Sequence, residues 1–306
     1  MIFDDSNPTD PLPLEPTQPS HPEPQPAEAP AVTIHSFMEG APPDQTPAAT
    51  FPAIPEDIRV PWDWIDLVIF ALLALGGAFA VSIGLIFAFS AFHVSVAQLR
   101  ASASLRTYYA ILNQVLLSFA LIGFMALQIR TRAPVPFWRT IGWRRLETGR
   151  IPKTTAYAGL IAGGLLLSML VQLVSNISRP KTKLPIEVFF QDRRSAILLM
   201  VVSVVFAPFL EETIFRGYIY PAIARSFGIA TSVIVTGTLF GLMHAPQLWG
   251  GWLQIALLVL VGVLLTYARA ATRTVLASYL LHLSYNSFLF LAFVIGSHWF
   301  RAVPRH

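Results

Sequence analysis

The sequence predicts an all-α polytopic membrane helical bundle of about seven transmembrane helices, or eight, behind a disordered N-terminal tail. Three observations carry this reading. Of 306 residues 54% are hydrophobic and 12% charged, where soluble domains carry about a quarter of charged residues, and the mean hydropathy is +0.59. The apolar residues fall in separate stretches, most of them long enough to cross a hydrocarbon core of roughly 30 Å. All seven tryptophans, at 62, 64, 138, 143, 249, 252 and 299, stand at or near the ends of those stretches, as an interfacial aromatic belt would place them.

Composition also restricts the chemistry. The chain has no cysteine, so it has no disulfide framework, thiolate metal site or cysteine nucleophile. Catalysis would have to use Glu, His, Asn, Ser or water. The net charge of +4 conceals a split, because residues 1–58 hold ten Asp/Glu and no Lys/Arg. The remainder is basic, which suits loops facing anionic lipid and makes membrane lipid, not nucleic acid, the expected partner.

Two domains follow, a tail at 1–58 and a transmembrane domain at 59–306. The tail is dense in proline, with Pro8, Pro11, Pro13, Pro16, Pro19 and Pro22 among Glu, Thr and Gln. Such a segment cannot bury enough apolar surface to offset its ordering entropy, so it reads as a disordered tether. The first span covers 64–92, with Gly76, Ala80 and Gly84 forming a small-residue face for close packing. The second covers 108–129, where Asn113 and Gln114 read as interhelical hydrogen-bonding groups. The basic, Trp-containing stretch 130–153 suits a segment lying on the headgroups. The third span, 155–177, repeats the four-residue glycine spacing at Gly159 and Gly163. A basic linker at 178–194, with the apolar piece Val188-Phe189-Phe190, reads as a loop or surface half helix. The fourth span runs 195–225, with Pro208 expected to kink it. The fifth covers 228–245, the sixth 252–268 and the seventh 275–297. No internal repeat is visible. Seven Lys/Arg between the second and third spans assign that loop and the tail to the cytoplasmic side, whereas five in the 178–194 linker oppose that assignment.

Glu211 and Glu212 are the only acidic residues after Asp192, and they lie inside the fourth span. A carboxylate at membrane depth costs roughly 2.5 kcal/mol or more, so it marks a functional site and calls for a partner. Glu212 and Arg216 are four apart on a helix and can pair. Glu211 is turned by about 100° from that pair and is left for another task. A single glutamate would be enough to lock helices together, and a second only adds desolvation cost. Phe240 and His244 in the fifth span, and His282 and Asn286 in the seventh, are likewise spaced by four. At about 1.5 Å per residue, Glu211 lies about 21 Å from the Arg225 end of its helix, and His244 lies about 24 Å from Gly228. The adjoining ends are joined by a tight turn, so these groups share a depth. His282 and Asn286 reach a comparable level, and all four can converge on one cavity.

A cavity with those groups can hydrolyse a carbonyl compound through activated water. Glu211 would act as the base and His244 would orient the water, while His282 and Asn286 would stabilise the oxyanion. Glu212 and Arg216 would brace the helix. A metal-based version uses Glu211, His244 and His282 as three ligands to a divalent ion such as zinc with one open position. The chain has no H-E-x-x-H, and spacing alone does not choose between a metal-free site and a metal site.

The motifs Glu211-Glu212-x-x-x-Arg216, Phe240-x-x-x-His244 and His282-x-x-x-Asn286, in this order on successive spans, resemble those of the CPBP family of intramembrane proteases. That family includes the type II CAAX prenyl endopeptidases and the Abi relatives linked to bacteriocin immunity. The resemblance covers about residues 195–290, the expected catalytic core. It implies a membrane-embedded endopeptidase in which the first motif glutamate activates water, the histidines assist and the asparagine binds the oxyanion. The substrate would be a membrane-associated or lipidated peptide or protein, entering from the membrane or cytoplasmic side of the cell membrane. The rival readings are a non-catalytic immunity or scaffold protein and, more remotely, a proton-coupled carrier. The intact motifs speak against the first, and the absence of a repeat speaks against the second.

Overall fold

The computed structural model describes residues 55–177, 192–296 and 298. The proline-rich tail up to residue 54, most of the 178–194 linker and Trp299 lie outside the described residues. All the regular structure described is helical: α1 (Trp64–Ala91), α2 (Val96–Ala101), α3 (Ala103–Arg132), α4 (Phe137–Thr140), α5 (Lys153–Ile177), α6 (Arg193–Phe227), α7 (Ile229–Met243), α8 (Trp252–Thr272) and α9 (Val275–Gly296). Helix starts follow their capping residues. Asp63 and Asp66 form a reciprocal capping box on α1, and Ser95 and Gln98 form one on α2. Asp192 caps α6 by accepting from the Ser195 backbone N–H at 3.0 Å and from its hydroxyl. Burial alone would push the Asp192 carboxyl up, but hydrogen bonds from Ser195, Arg194 and Ser104 together outweigh it and hold the group below the usual carboxylate value.

Among the described residues six helices, α1, α3, α5, α6, α8 and α9, are long and apolar enough to cross a membrane. The fifth expected span differs, since α7 has only 15 residues. It begins after Gly228, whose φ of 88° is left-handed, and it stops before His244 and Pro246. Its inner side, with Ser232, Thr236, Gly237 and Phe240, is buried in protein.

Helix packing uses different glycines from those the spacing suggested. On α1, Gly76 and Gly84 have no other heavy atom within 4 Å of a built Cβ, and Gly76, Ala80 and Gly84 are all exposed. That face points outward, because the contact with α3 runs through Gly77 beside Leu117 and through Phe70 beside Phe124. On α5 the contact residue is Gly164, not Gly159 or Gly163: a Cβ there would strike Ser284 and the Leu281 carbonyl of α9. Helices α7 and α8 also cross closely, where a Cβ on Gly237 would meet the Val263 backbone and one on Gly241 would meet the Val259 backbone.

The last residues assigned to the tail by composition are part of the folded domain. Glu56–Ile58 form a 3-10 turn, and the buried Asp57 accepts from Arg269 Nη1 of α8 at 2.9 Å. Ile58 packs on Tyr220 and Ala224 of α6. Trp62 is a core residue, not a belt residue: it is buried, it stacks on Tyr218 at 5.0 Å and it donates its indole N–H to the Tyr218 carbonyl. Trp64, Trp138, Trp249 and Trp252 are exposed, as a belt requires. The basic stretch 130–153 also folds inward in part. Ile141 is fully buried, Gly142 O accepts from the Val275 N–H at 2.9 Å, and Gly142 takes φ 90° with Arg269 pressed against it. Asn113 bonds Ser82 of α1 across the helices at 2.6 Å, whereas Gln114 bonds Ser118 on its own helix.

Two glycine substitutions separate used from unused spacing. Gly237→Val should cost at least about 1–3 kcal/mol, because the Val263 backbone cannot yield, and should appear as a lower melting temperature in detergent. Gly76→Val should leave the melt unchanged.

Candidate active site

Helix α6 carries the glutamates between two π turns, Val202–Phe206 and Thr213–Ile219. Each turn ends two residues before a proline, Pro208 and Pro221. The kink expected at Pro208 therefore takes the form of a change of hydrogen-bond register. In the first π turn the Ala207 N–H bonds Val202 O, five residues back. The next carbonyl in that register belongs to Ser203, and its donor would be Pro208, which has no N–H. The Asn286 amide of α9 supplies the missing donor, with Nδ2 at 2.7 Å from Ser203 O. Asn286 thus joins α9 to α6 and keeps its second amide hydrogen.

Glu212 and Arg216 are both fully buried and pair at 2.8 Å. The guanidinium also donates to Gly262 O at 2.8 Å and Thr266 Oγ1 at 3.2 Å on α8. Its central carbon lies 4.4 Å from the Phe240 ring centroid. Phe240 in turn meets the rings of Phe215, His244 and His282 at 5.4, 5.0 and 5.6 Å. One aromatic ring on α7 thus spaces the arginine from both histidines.

His282 stands between the two glutamates, with Nδ1 at 2.9 Å from Glu212 Oε1 and Nε2 at 3.8 Å from Glu211 Oε2. Glu212 is therefore a partner of His282 as well as of Arg216. Glu211 keeps 14% of its side-chain surface exposed and lines a cavity of about 510 Å³ with His244, His282 and Asn286. Leu199, Leu289 and Phe293 are among its apolar walls. His244 sits one residue beyond α7, with Nδ1 at 2.9 Å from Phe240 O. A carbonyl only accepts, so Nδ1 carries the hydrogen, and in the neutral ring Nε2 has the lone pair. Thr213 beside Glu212 accepts from the Trp143 indole N–H at 3.0 Å, which ties the 137–146 loop to the site.

Of the seven residues singled out from the sequence, Glu211, Phe240, His244, His282 and Asn286 line this cavity, and the buried Glu212 and Arg216 stand behind His282 and Phe240. Sequence reading missed Thr266 and Gly262 as anchors of Arg216, Ser203 as the partner of Asn286, and Gln114 as a cavity-lining residue. Among the described residues no group of three His, Cys, Asp or Glu side chains could hold a metal ion. Glu211, His244 and His282 are thus not gathered into such a group.

Residues 193–288 match the family model of the type II CAAX prenyl endopeptidase Rce1-like proteins. This stretch is an Rce1-like domain. It begins with the first residue of α6 and ends within α9, so it contains Glu211, Glu212, Arg216, His244, His282 and Asn286. Helices α1, α3 and α5 lie outside the match. No curated protein and no solved structure matches the chain. The Rce1-like domain and the six apolar spans support a multi-pass membrane protein of the endopeptidase kind.

The two glutamates should separate by stability. Glu212→Gln leaves Arg216 buried without its countercharge and should cost about 3–5 kcal/mol, read as a lowered melting temperature. Glu211→Gln, at the cavity wall, should melt close to the wild type.

Proposed function

We propose that the Rce1-like domain hydrolyses a peptide bond of a membrane-associated or lipidated substrate with a water activated by Glu211. The observation that carries this reading is the division of labour between adjacent carboxylates: Glu212 is sealed against Arg216 and His282, while Glu211 faces the cavity. A water between Glu211 and His244 would lose a proton to the Glu211 carboxylate and hydrogen-bond to the free His244 Nε2 lone pair. Its oxygen attacks the carbonyl carbon, and the carbonyl oxygen becomes an oxyanion. The second Nδ2 hydrogen of Asn286 and a protonated His282 Nε2 are the donors for that charge. Collapse of the tetrahedral intermediate breaks the C–N bond as Glu211 returns the proton to the leaving nitrogen, and the new carboxylic acid then gives its proton to the amine, leaving a carboxylate and an ammonium group.

The apolar cavity walls suit an aliphatic or lipid-bearing substrate. The seven Lys/Arg in the 130–153 stretch support a cytoplasmic tail in the cell membrane, with substrate entering from the membrane or the cytoplasmic side.

The test is hydrolysis of a library of hydrophobic and lipidated peptides by the purified protein in lipid, with and without a strong chelator. Glu211→Gln should lower turnover by about a thousandfold in a protein that still melts normally, and the chelator should leave the wild type active. Retained hydrolysis in that variant would remove Glu211 as the base. A folded wild type that cleaves nothing would favour a non-catalytic scaffold. Asn286→Ala should lower turnover by about a hundredfold and should also lower the melting temperature, because Ser203 O loses its donor.

A further inference from the structure

A second cavity of about 510 Å³ lies apart from the active site, between the 55–61 segment and the 133–144 loop. Arg59, Arg139 and Arg144 line it, and the one acidic lining residue is Glu56, paired with Arg144 at 3.1 Å. Arg139 therefore adds a positive charge that the Glu56–Arg144 pair does not offset. The remaining wall is largely apolar, with Val135 and Pro136 among its members. It sits where α3 ends at Arg132 and where α1 is about to begin at Trp64, the level at which two membrane spans leave the hydrocarbon. Val135 and Trp138 beside it are exposed. Among the described residues the Arg139 side chain makes no hydrogen bond or ion pair, and it is exposed at the cavity wall. The proposed hydrolysis does not use this cluster.

We propose that this pocket binds the phosphate headgroup of an anionic phospholipid. Guanidinium groups match phosphate oxygens in a planar, two-pronged geometry. A basic pocket at the end of membrane spans meets such headgroups at high local concentration. The apolar wall and the exposed Val135 and Trp138 face the glycerol and upper acyl region of the same molecule. A soluble anion would have no use for that wall. The bound lipid would join the 55–61 segment to the 133–144 loop, the two pieces that close over α6 and α8.

The test uses the full chain in mixed phosphatidylglycerol and phosphatidylcholine, with retained lipid counted by native mass spectrometry. Wild type should retain phosphatidylglycerol in preference. Arg139→Gln, an exposed position where folding is not at stake, should lower that retention about fivefold, and Arg144→Gln should act in the same direction. Arg130→Gln, at the same helix end but outside the pocket, should leave it unchanged. Equal retention of the two lipids by wild type would overturn the proposal, as would an Arg130→Gln effect as large as that of Arg139→Gln. Displacement of the lipid by millimolar inorganic phosphate would make a soluble anion the ligand. Lipid preference that emerges only after Glu23, Glu28, Glu39 and Asp44 are neutralised would show that the acidic tail fills the pocket. Either result would also overturn it.

Discussion

The buried ion pair of Glu212 and Arg216 is the constraint on which the rest of the site depends. Neither charge has access to water, so each requires the other, and a single contact could not meet all the needs of a guanidinium. Arg216 therefore draws on three helices: Glu212 on its own, Gly262 and Thr266 on α8, and the face of Phe240 on α7. Gly262 O can be reached because glycines let α7 and α8 approach to backbone contact. The second demand on Glu212, from His282, brings in α9. A local i, i+4 pair thus orients four helices around one cavity and leaves Glu211 as the carboxylate facing that cavity.

The prolines of α6 act on the same geometry through absence. Pro208 provides no N–H to the register it interrupts, and the carbonyl left over is met by a side chain from α9. Bonds of this kind are directional, so they hold Asn286 at a definite height and rotation, which general apolar packing between spans would not do. The 137–146 loop adds another tie, from Trp143 to Thr213, and Arg269 with Asp57 closes the domain from the N-terminal side. Each of these ties joins chain segments that are distant in sequence.

What the sequence revealed and what it hid divide along that line. Glu211 and Glu212 stood out because a charge in an apolar run has no cheap explanation, and Arg216, His244 and Asn286 followed from helical spacing. The glycines did not yield to spacing. Gly76 and Gly84 share one face of α1, as Gly237 and Gly241 share one face of α7, yet only the second pair meets a helix. Which side of a span faces protein and which faces lipid is set by the neighbours and leaves no mark in a four-residue repeat. Asp57 was hidden for a similar reason: it lies in an acidic, proline-rich context, and its partner Arg269 is 212 residues away. The inward fold of Ile141 and Trp143 was masked by the arginines beside them.

The shortness of α7 has a consequence for hydration. At about 1.5 Å per residue its 15 residues extend about 22 Å, against a hydrocarbon layer of roughly 30 Å. Ile234, Leu239 and Leu242 are exposed on α7, so lipid meets a rod that ends early. A bilayer responds to such a mismatch by thinning beside the short element, and the polar boundary moves inward toward the end where His244 is found. The hydrolysis proposed above consumes one water per bond broken, and such a dip in the membrane surface would bring that water toward His244.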